Sequence, residues 1–216
     1  MRNKFDEQLE ELHNELLQMG TLLEQGINFS NSALLEQNTS FAKKAIDIEY
    51  EVDKKEKIIE ELCLKLLLHQ QPVAKDLRII SSALKMITDM ERIGDQIADI
   101  SEIVLKMIGS ISIIKLEHLN QMAIATSKMI SSAINAFVKN DVETVKNVIK
   151  MDDVVDSLFY ELRKDLVDLL REDIDCGNQV LDFLMIAKYY ERIGDHCVNI
   201  AEWILFSLTG KHKDFN

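Results

Sequence analysis

The pentapeptide Glu-Arg-Ile-Gly-Asp occurs twice in this chain of 216 residues, at positions 91–95 and again at 191–195. About 0.01 such coincidences are expected by chance from average residue usage, so the chain reads as two copies of one unit. The match continues through Ile100/Ile200, Glu102/Glu202 and Leu105/Leu205. Each copy keeps two carboxylates four residues apart, which on a helix stand about 40° apart on one face with Cβ atoms about 6 Å apart. Glu91, Asp95, Asp99 and Glu102 fall at about 0°, 40°, 80° and 20° around a helix of 3.6 residues per turn and form one ridge. Glu191, Asp195, Asn199 and Glu202 repeat it, while Ile93, Ile97, Ile100 and Val104 point the other way. Like charges at this spacing cost about 0.2–0.5 kcal/mol per pair. Their recurrence in both copies points to a cation, and carboxylate oxygens favour Mg²⁺, Ca²⁺, Mn²⁺ or iron.

A second acidic pair precedes each ridge. Glu49 and Asp53 match Asp152 and Asp156 at an offset of 103, followed by Val52/Val155, Ile59/Leu162 and Leu66/Leu169. Four carboxylates per half could then hold one ion or bridge several. The plain alternative is a solvated acidic face paired with Arg92, Arg192 or lysines. Gly94 and Gly194, each costly inside a helix, point to close approach of a neighbouring helix or of an ion cluster. Asn199 stands where the first copy has Asp99, so the second half is expected to hold a divalent ion more weakly.

The elements that must position these acids are helices. Nearly half of the residues are apolar, with one proline, Pro72, and seven glycines, too few turn formers for a β-rich fold. Apolar residues recur at helical spacing and predict six helices. They run from about Phe5 to Leu35, from about Thr39 or Ser40 (either a candidate cap) to His69, and from Pro72 to Ile108. The later three run from about Leu116 to Val138, from Asp141 (a candidate N-cap) to Glu172, and from about Asn178 to Leu208. Helices of about 25–35 residues, roughly 40–50 Å long, joined by short turns pack as antiparallel neighbours. The expected fold is all-α, with two tandem three-helix antiparallel bundles, residues 1–110 and 111–216, and a fraying tail from Gly210.

The net charge of −12 argues against nucleic acid and anionic lipid as partners. Cys63, Cys176 and Cys197 are widely spaced with no paired motif, which argues against disulfides and thiolate zinc sites. The charged N-terminus does not read as a signal peptide, and no stretch approaches the roughly 20 apolar residues that span a bilayer. A cytoplasmic protein without direct membrane insertion is expected. No nucleophile–histidine–acid set or phosphate-binding glycine loop is present, so binding rather than catalysis is expected.

The doubled motif in its setting, ERIGDQIADISE and ERIGDHCVNIAE, with QPVAKDLRIISSALKMITDM leading into the first copy, resembles the signature repeats of the PhoU family of phosphate-uptake and phosphate-signalling regulators. The resemblance covers nearly the whole chain. It implies two three-helix bundles end to end, with multinuclear metal sites, iron or zinc by preference and manganese or magnesium as alternatives. By position the ligands would be Glu49, Asp53, Glu91, Asp95 and Asp99 in the first half, and Asp152, Asp156, Glu191, Asp195 and Asn199 in the second. Tyr189, where the first copy has Asp89, departs from the pattern; it is expected to leave the second site intact while changing its outer surroundings. The resemblance further implies a homodimer that contacts the ATPase subunit of a phosphate ABC transporter and a phosphate-sensing histidine kinase, restraining uptake and starvation signalling.

Two other classes compete. A carboxylate-bridged di-iron oxidase needs two Glu-x-x-His motifs, and only Glu10–His13 matches. A metal-free helical adaptor would use the acidic face to bind a basic partner.

Overall fold

The computed structural model describes residues 2–69, 73–110 and 117–211. They form helices α1 (Arg2–Glu36), α2 (Thr39–His69), α3 (Ala74–Met107), α4 (Glu117–Lys139), α5 (Val142–Glu172) and α6 (Gly177–Thr209), with a 3₁₀ turn at Ile174–Cys176 before α6. Each helix forms because its apolar residues return every three or four positions. On α1, Leu12, Leu16, Met19, Leu23, Ile27 and Leu34 are all buried. The predicted cap Asp141 accepts bonds from the backbone N–H groups of Glu143 and Thr144 at α5, satisfying donors that the first helical turn leaves unpaired. At α2 the capping side chain is Asn38 rather than Thr39 or Ser40: its Oδ1 accepts from the Ser40 N–H at 2.9 Å. The predicted break at Pro72 and the start at Leu116 lie outside the described residues, as do most of the segment between the halves and the tail beyond 211.

In each half the three helices pack on one another, α1 with α2 and α3, α4 with α5 and α6. The halves do not sit end to end. α1 also packs on α4, and α3 on α6, so the bundles lie side by side, with α2, α3, α6 and α5 in one layer and α1 and α4 behind. The α3–α6 seam is antiparallel along its length. Arg78 lies against Gly210, Asp89 against Asn199, Asp99 faces Tyr189, and the Gln179 amide donates to the Ser110 carbonyl. Residues 94 and 194 therefore stand opposite each other, at the centre of a pseudo-two-fold relation between the halves. Behind it, the α1–α4 contact carries Asn31 Nδ2 donating to Asn120 Oδ1 at 2.8 Å and His13 edge-on to Phe137. Apolar residues of all six helices join one continuous core.

Because the core is shared, a defect in the first bundle should be felt in the second. Leu23→Ala, at a fully buried position, is expected to cost about 2–5 kcal/mol. Trp203, the only tryptophan, lies on α6 against the core and reports the second bundle. In urea, its fluorescence transition should shift to lower concentration in Leu23→Ala, together with the helical circular dichroism. An unmoved Trp203 transition would show that the bundles unfold independently.

Candidate metal centres at the helix pairs

The acids of α2 and α3 face each other across their helix contact. Glu49 is pushed above the ordinary carboxylate range by burial, then by the neighbouring charges of Asp53 on its own helix and Asp95 on α3. Glu91 is raised by burial and by Asp95, with Glu56 and Asp53 of α2 adding to the effect, and Arg92 opposing it. In the second half Asp152 is pushed up to about 6, first by burial, then by Asp156, Asp195, Asp153 and Glu191. Asp195 is raised by burial and by Glu191 and Asp156, while Lys188 and His196 work against the shift. Each perturbation combines partial desolvation with like-charge repulsion, both of which disfavour the anion. The structure thus brings together Glu49, Asp53, Glu91 and Asp95 at α2–α3, and Asp152, Asp156, Glu191 and Asp195 at α5–α6.

The glycines make this approach close. A Cβ at Gly94 would lie 3.1 Å from Val52 Cγ1, and one at Gly194 would lie 2.7 Å from Asp152 Oδ1. The Asp152 carboxylate occupies space that any other residue at 194 would fill. The sequence signal of a glycine at the same place in both helices is accounted for by helix packing in the first half and by packing plus an acid in the second.

Asp99 and Asn199 are placed differently from the other acids. Tyr189 faces Asp99 across the α3–α6 seam, and burial, the Asp99 charge and a hydrogen bond to it raise the phenol above its usual range. Asn199 Nδ2 donates to Asp89 Oδ1 at 3.2 Å, and His196 Nδ1 lies 2.8 Å from the same oxygen. At about 80° from Glu91 the ridge has turned far enough to reach α6 rather than α2. Asn199 therefore stands at the seam beside Asp89, and Tyr189 is a seam residue too. Arg92 pairs with Asp95 at 3.0 Å and with Glu91 at 3.5 Å, acids of its own helix rather than of a neighbour. His13 of the lone Glu-x-x-His motif is half-buried against Phe137; burial lowers its pKa and Glu10 opposes the shift.

Two features escaped the sequence reading. Glu56 joins the first group through Asp53 and Glu91; its position seven residues after Glu49, on the same stripe, was the available signal. Lys188 pairs with Glu191 in the second.

Among the described residues no three carboxylate, imidazole or thiolate groups converge closely enough, as their side chains stand, to hold an ion. The donor set nonetheless fits one. All donors are hard oxygens, and each half opposes two pairs across a helix contact.

The PhoU domain family matches twice, at residues 16–104 and 119–204, one match per bundle. The chain belongs to the PhoU family. It is 36% identical over 216 residues to a phosphate-specific transport system accessory protein PhoU homolog of Clostridium acetobutylicum, covering 100% of this chain and 99% of that one. It is 29% identical over 208 residues to the phosphate-specific transport system accessory protein PhoU of Escherichia coli, covering 96% and 86%. The fold is similar to the crystal structure of PhoU from Pseudomonas aeruginosa, with a TM-score of 0.90 at 30% identity, 96% of this chain and 100% of the other being covered. The PhoU regulatory protein of a phosphate transport system from Streptococcus pneumoniae matches with a TM-score of 0.88 at 26% identity, covering 98% and 100%.

The opposed acids carry a pH signature. Groups whose pKa is higher in the folded than in the unfolded chain bind more protons when folded, so stability rises as pH falls toward the unfolded value. With chelator present, the wild type should melt at higher temperature at pH 5 than at pH 7.5, because Asp152 titrates near 6 when folded and near 3.8 when unfolded. Asp152→Asn should raise the melting temperature at pH 7.5 and flatten this dependence. A variant less stable than wild type at pH 7.5, with an unchanged slope, would contradict the repulsion.

Proposed function

We propose that this chain is a cytosolic, metal-binding regulator of phosphate uptake and phosphate-starvation signalling that works by binding rather than catalysis. The observation that carries the phosphate role is membership of the PhoU family over both repeats, with relatives named as accessory proteins of phosphate-specific transport. Among the described residues no helix is long and apolar enough to cross a membrane, in keeping with an adaptor that docks on a membrane complex. The proposed partners are the ATPase subunit of a phosphate ABC transporter and a phosphate-sensing histidine kinase, and the working form is a homodimer.

The metal reading rests on the opposed carboxylate pairs. Glu49, Asp53, Glu91 and Asp95 would hold one ion or cluster, and Asp152, Asp156, Glu191 and Asp195 the other. Iron, zinc, manganese and magnesium all accept such oxygen donors to differing degrees. A bound cation would neutralise repulsion that the fold imposes and fix α2 against α3 and α5 against α6. A second reading is favoured by the separation of the side chains as they stand: the acidic face binds a basic partner directly, without metal.

Deleting the gene should raise phosphate-starvation reporters in phosphate-rich medium, and the wild-type copy should restore repression. Glu91→Ala with Asp95→Ala should lower the metal content of protein purified without chelator and leave the second cluster loaded. Normal repression in the deletion strain, where no second copy exists, would refute the regulatory role. Loss of repression by a variant that never carried metal when wild type would favour the basic-partner reading.

A further inference from the structure

Exposed apolar side chains are not spread evenly over this protein. Of the fourteen large ones exposed among the described residues, eight lie at the ends of two helix hairpins. Leu64 and Leu68 of α2 stand with Val73 and Leu77 at the start of α3, and Val167 of α5 stands with Ile174, Leu181 and Met185 on the way into α6. Leu68 and Ile174 are 77% and 76% exposed. Single apolar residues on a surface need no explanation, whereas clustered ones mark contact surfaces.

Helical spacing puts these residues on the stripes that carry the acids. At 100° per residue Leu77 points the same way as Asp95, five full turns away, while Leu64 and Val167 stand about 20° from Asp53 and Asp156. Leu181 stands about 40° from Asp195 by the same count. Both hairpin ends and both acid groups therefore share one face of the four-helix layer, and α1 and α4 lie behind it. Because α3 and α6 are antiparallel, Leu77 and Leu181 are about 45 Å apart along the seam, on either side of the pseudo-two-fold centre at Gly94 and Gly194. The middle is acidic: residues 49–60, 88–102, 152–163 and 188–202 hold 17 aspartates and glutamates against 7 lysines and arginines.

We propose that this face docks a homodimeric protein whose two-fold axis meets the pseudo-two-fold axis of the chain. Each partner subunit sets an apolar element on one hairpin end, and basic side chains near the partner's axis face the acidic middle. A homodimer presents every group twice about its axis, which matches two like apolar ends placed about one centre. The charge decides against two other occupants. A second copy of this chain laid face to face would set acids against acids, and an anionic lipid surface would be repelled. The inference deepens the adaptor reading and rests on it; it does not depend on metal at the acid groups.

The test places a photo-cross-linking amino acid at position 77, at position 181, or at both, in the full chain expressed in its host. Position 124 on α4, where Ile124 is exposed, serves as the control. Mass spectrometry of the adducts should find the same polypeptide captured from 77 and from 181, and not from 124. The doubly substituted chain should carry two copies of it. Leu77→Asp should lower capture from 181 roughly tenfold, and Leu181→Asp should do the same to capture from 77, as loss of a central apolar contact does. An unchanged melting temperature verifies that each variant is folded. Different polypeptides at the two ends, a second copy of this chain, lipid adducts, never more than one captured copy, or no capture at either end would overturn the proposal. Double capture of one polypeptide, in a host where deletion leaves repression normal, would refute the regulatory role and leave this docking mode standing.

Discussion

Everything distinctive in this protein depends on how near α2 comes to α3, and α5 to α6. At Gly94 and Gly194 the helices approach until a single Cβ would press on Val52 in one pair and on a carboxylate oxygen in the other. That approach sets two acids on each helix against two on its neighbour, within a surface already rich in negative charge. The energetic consequence is repulsion combined with partial desolvation, visible in the raised pKa values of Glu49, Glu91, Asp152 and Asp195. An isolated helix would disfavour these acids only weakly, by a few tenths of a kcal/mol per pair. It is the tertiary packing that makes their charges interact across the helix contacts. The apolar core shared by all six helices supplies the stability that holds them there.

Much of this was legible in the residues. The repeat, the six helices and the Asp141 cap follow from periodicity and spacing, as does the placing of eight of the ten candidate residues on facing helices. The arrangement of the bundles did not. Helical periodicity reports which side of a helix is apolar, but α1 and α3 have apolar stripes broad enough to serve both their own bundle and the other. Nothing local distinguishes Ile134 packing on Gly20 from a contact within α4's own bundle, so the side-by-side pairing was hidden. The same limit hid the partners that Asp99 and Asn199 meet across the seam. A ridge drawn on one helix ignores where its neighbours stand, and an 80° turn is enough to pass from the α2 groove to the α6 seam. Glu56 was readable on the same stripe as Glu49, but its partner in the second half is Phe159, and a search for what the copies share passes over such a residue.

The pseudo-symmetry extends to the polar contacts of the seam. The seam places Asp89 beside His196 and Asn199 on one side of its centre and Asp99 beside Tyr189 on the other, so the two halves meet through polar contacts that flank the acid clusters. An ion bound between α2 and α3 would act on α3, which is also one wall of the seam. Binding in one half would therefore bear on the helix that contacts the other.

The fold holds opposed carboxylates in mutual repulsion, which a bound multivalent cation would relieve. Thermal unfolding of chelator-treated protein, compared at constant ionic strength with and without Mn²⁺, tests it most directly. The melting temperature should rise with Mn²⁺ concentration and saturate, with a much smaller rise when the four clustered acids of each half are replaced by their amides. The same melting temperature in Mn²⁺ as in Na⁺ at matched ionic strength would contradict it.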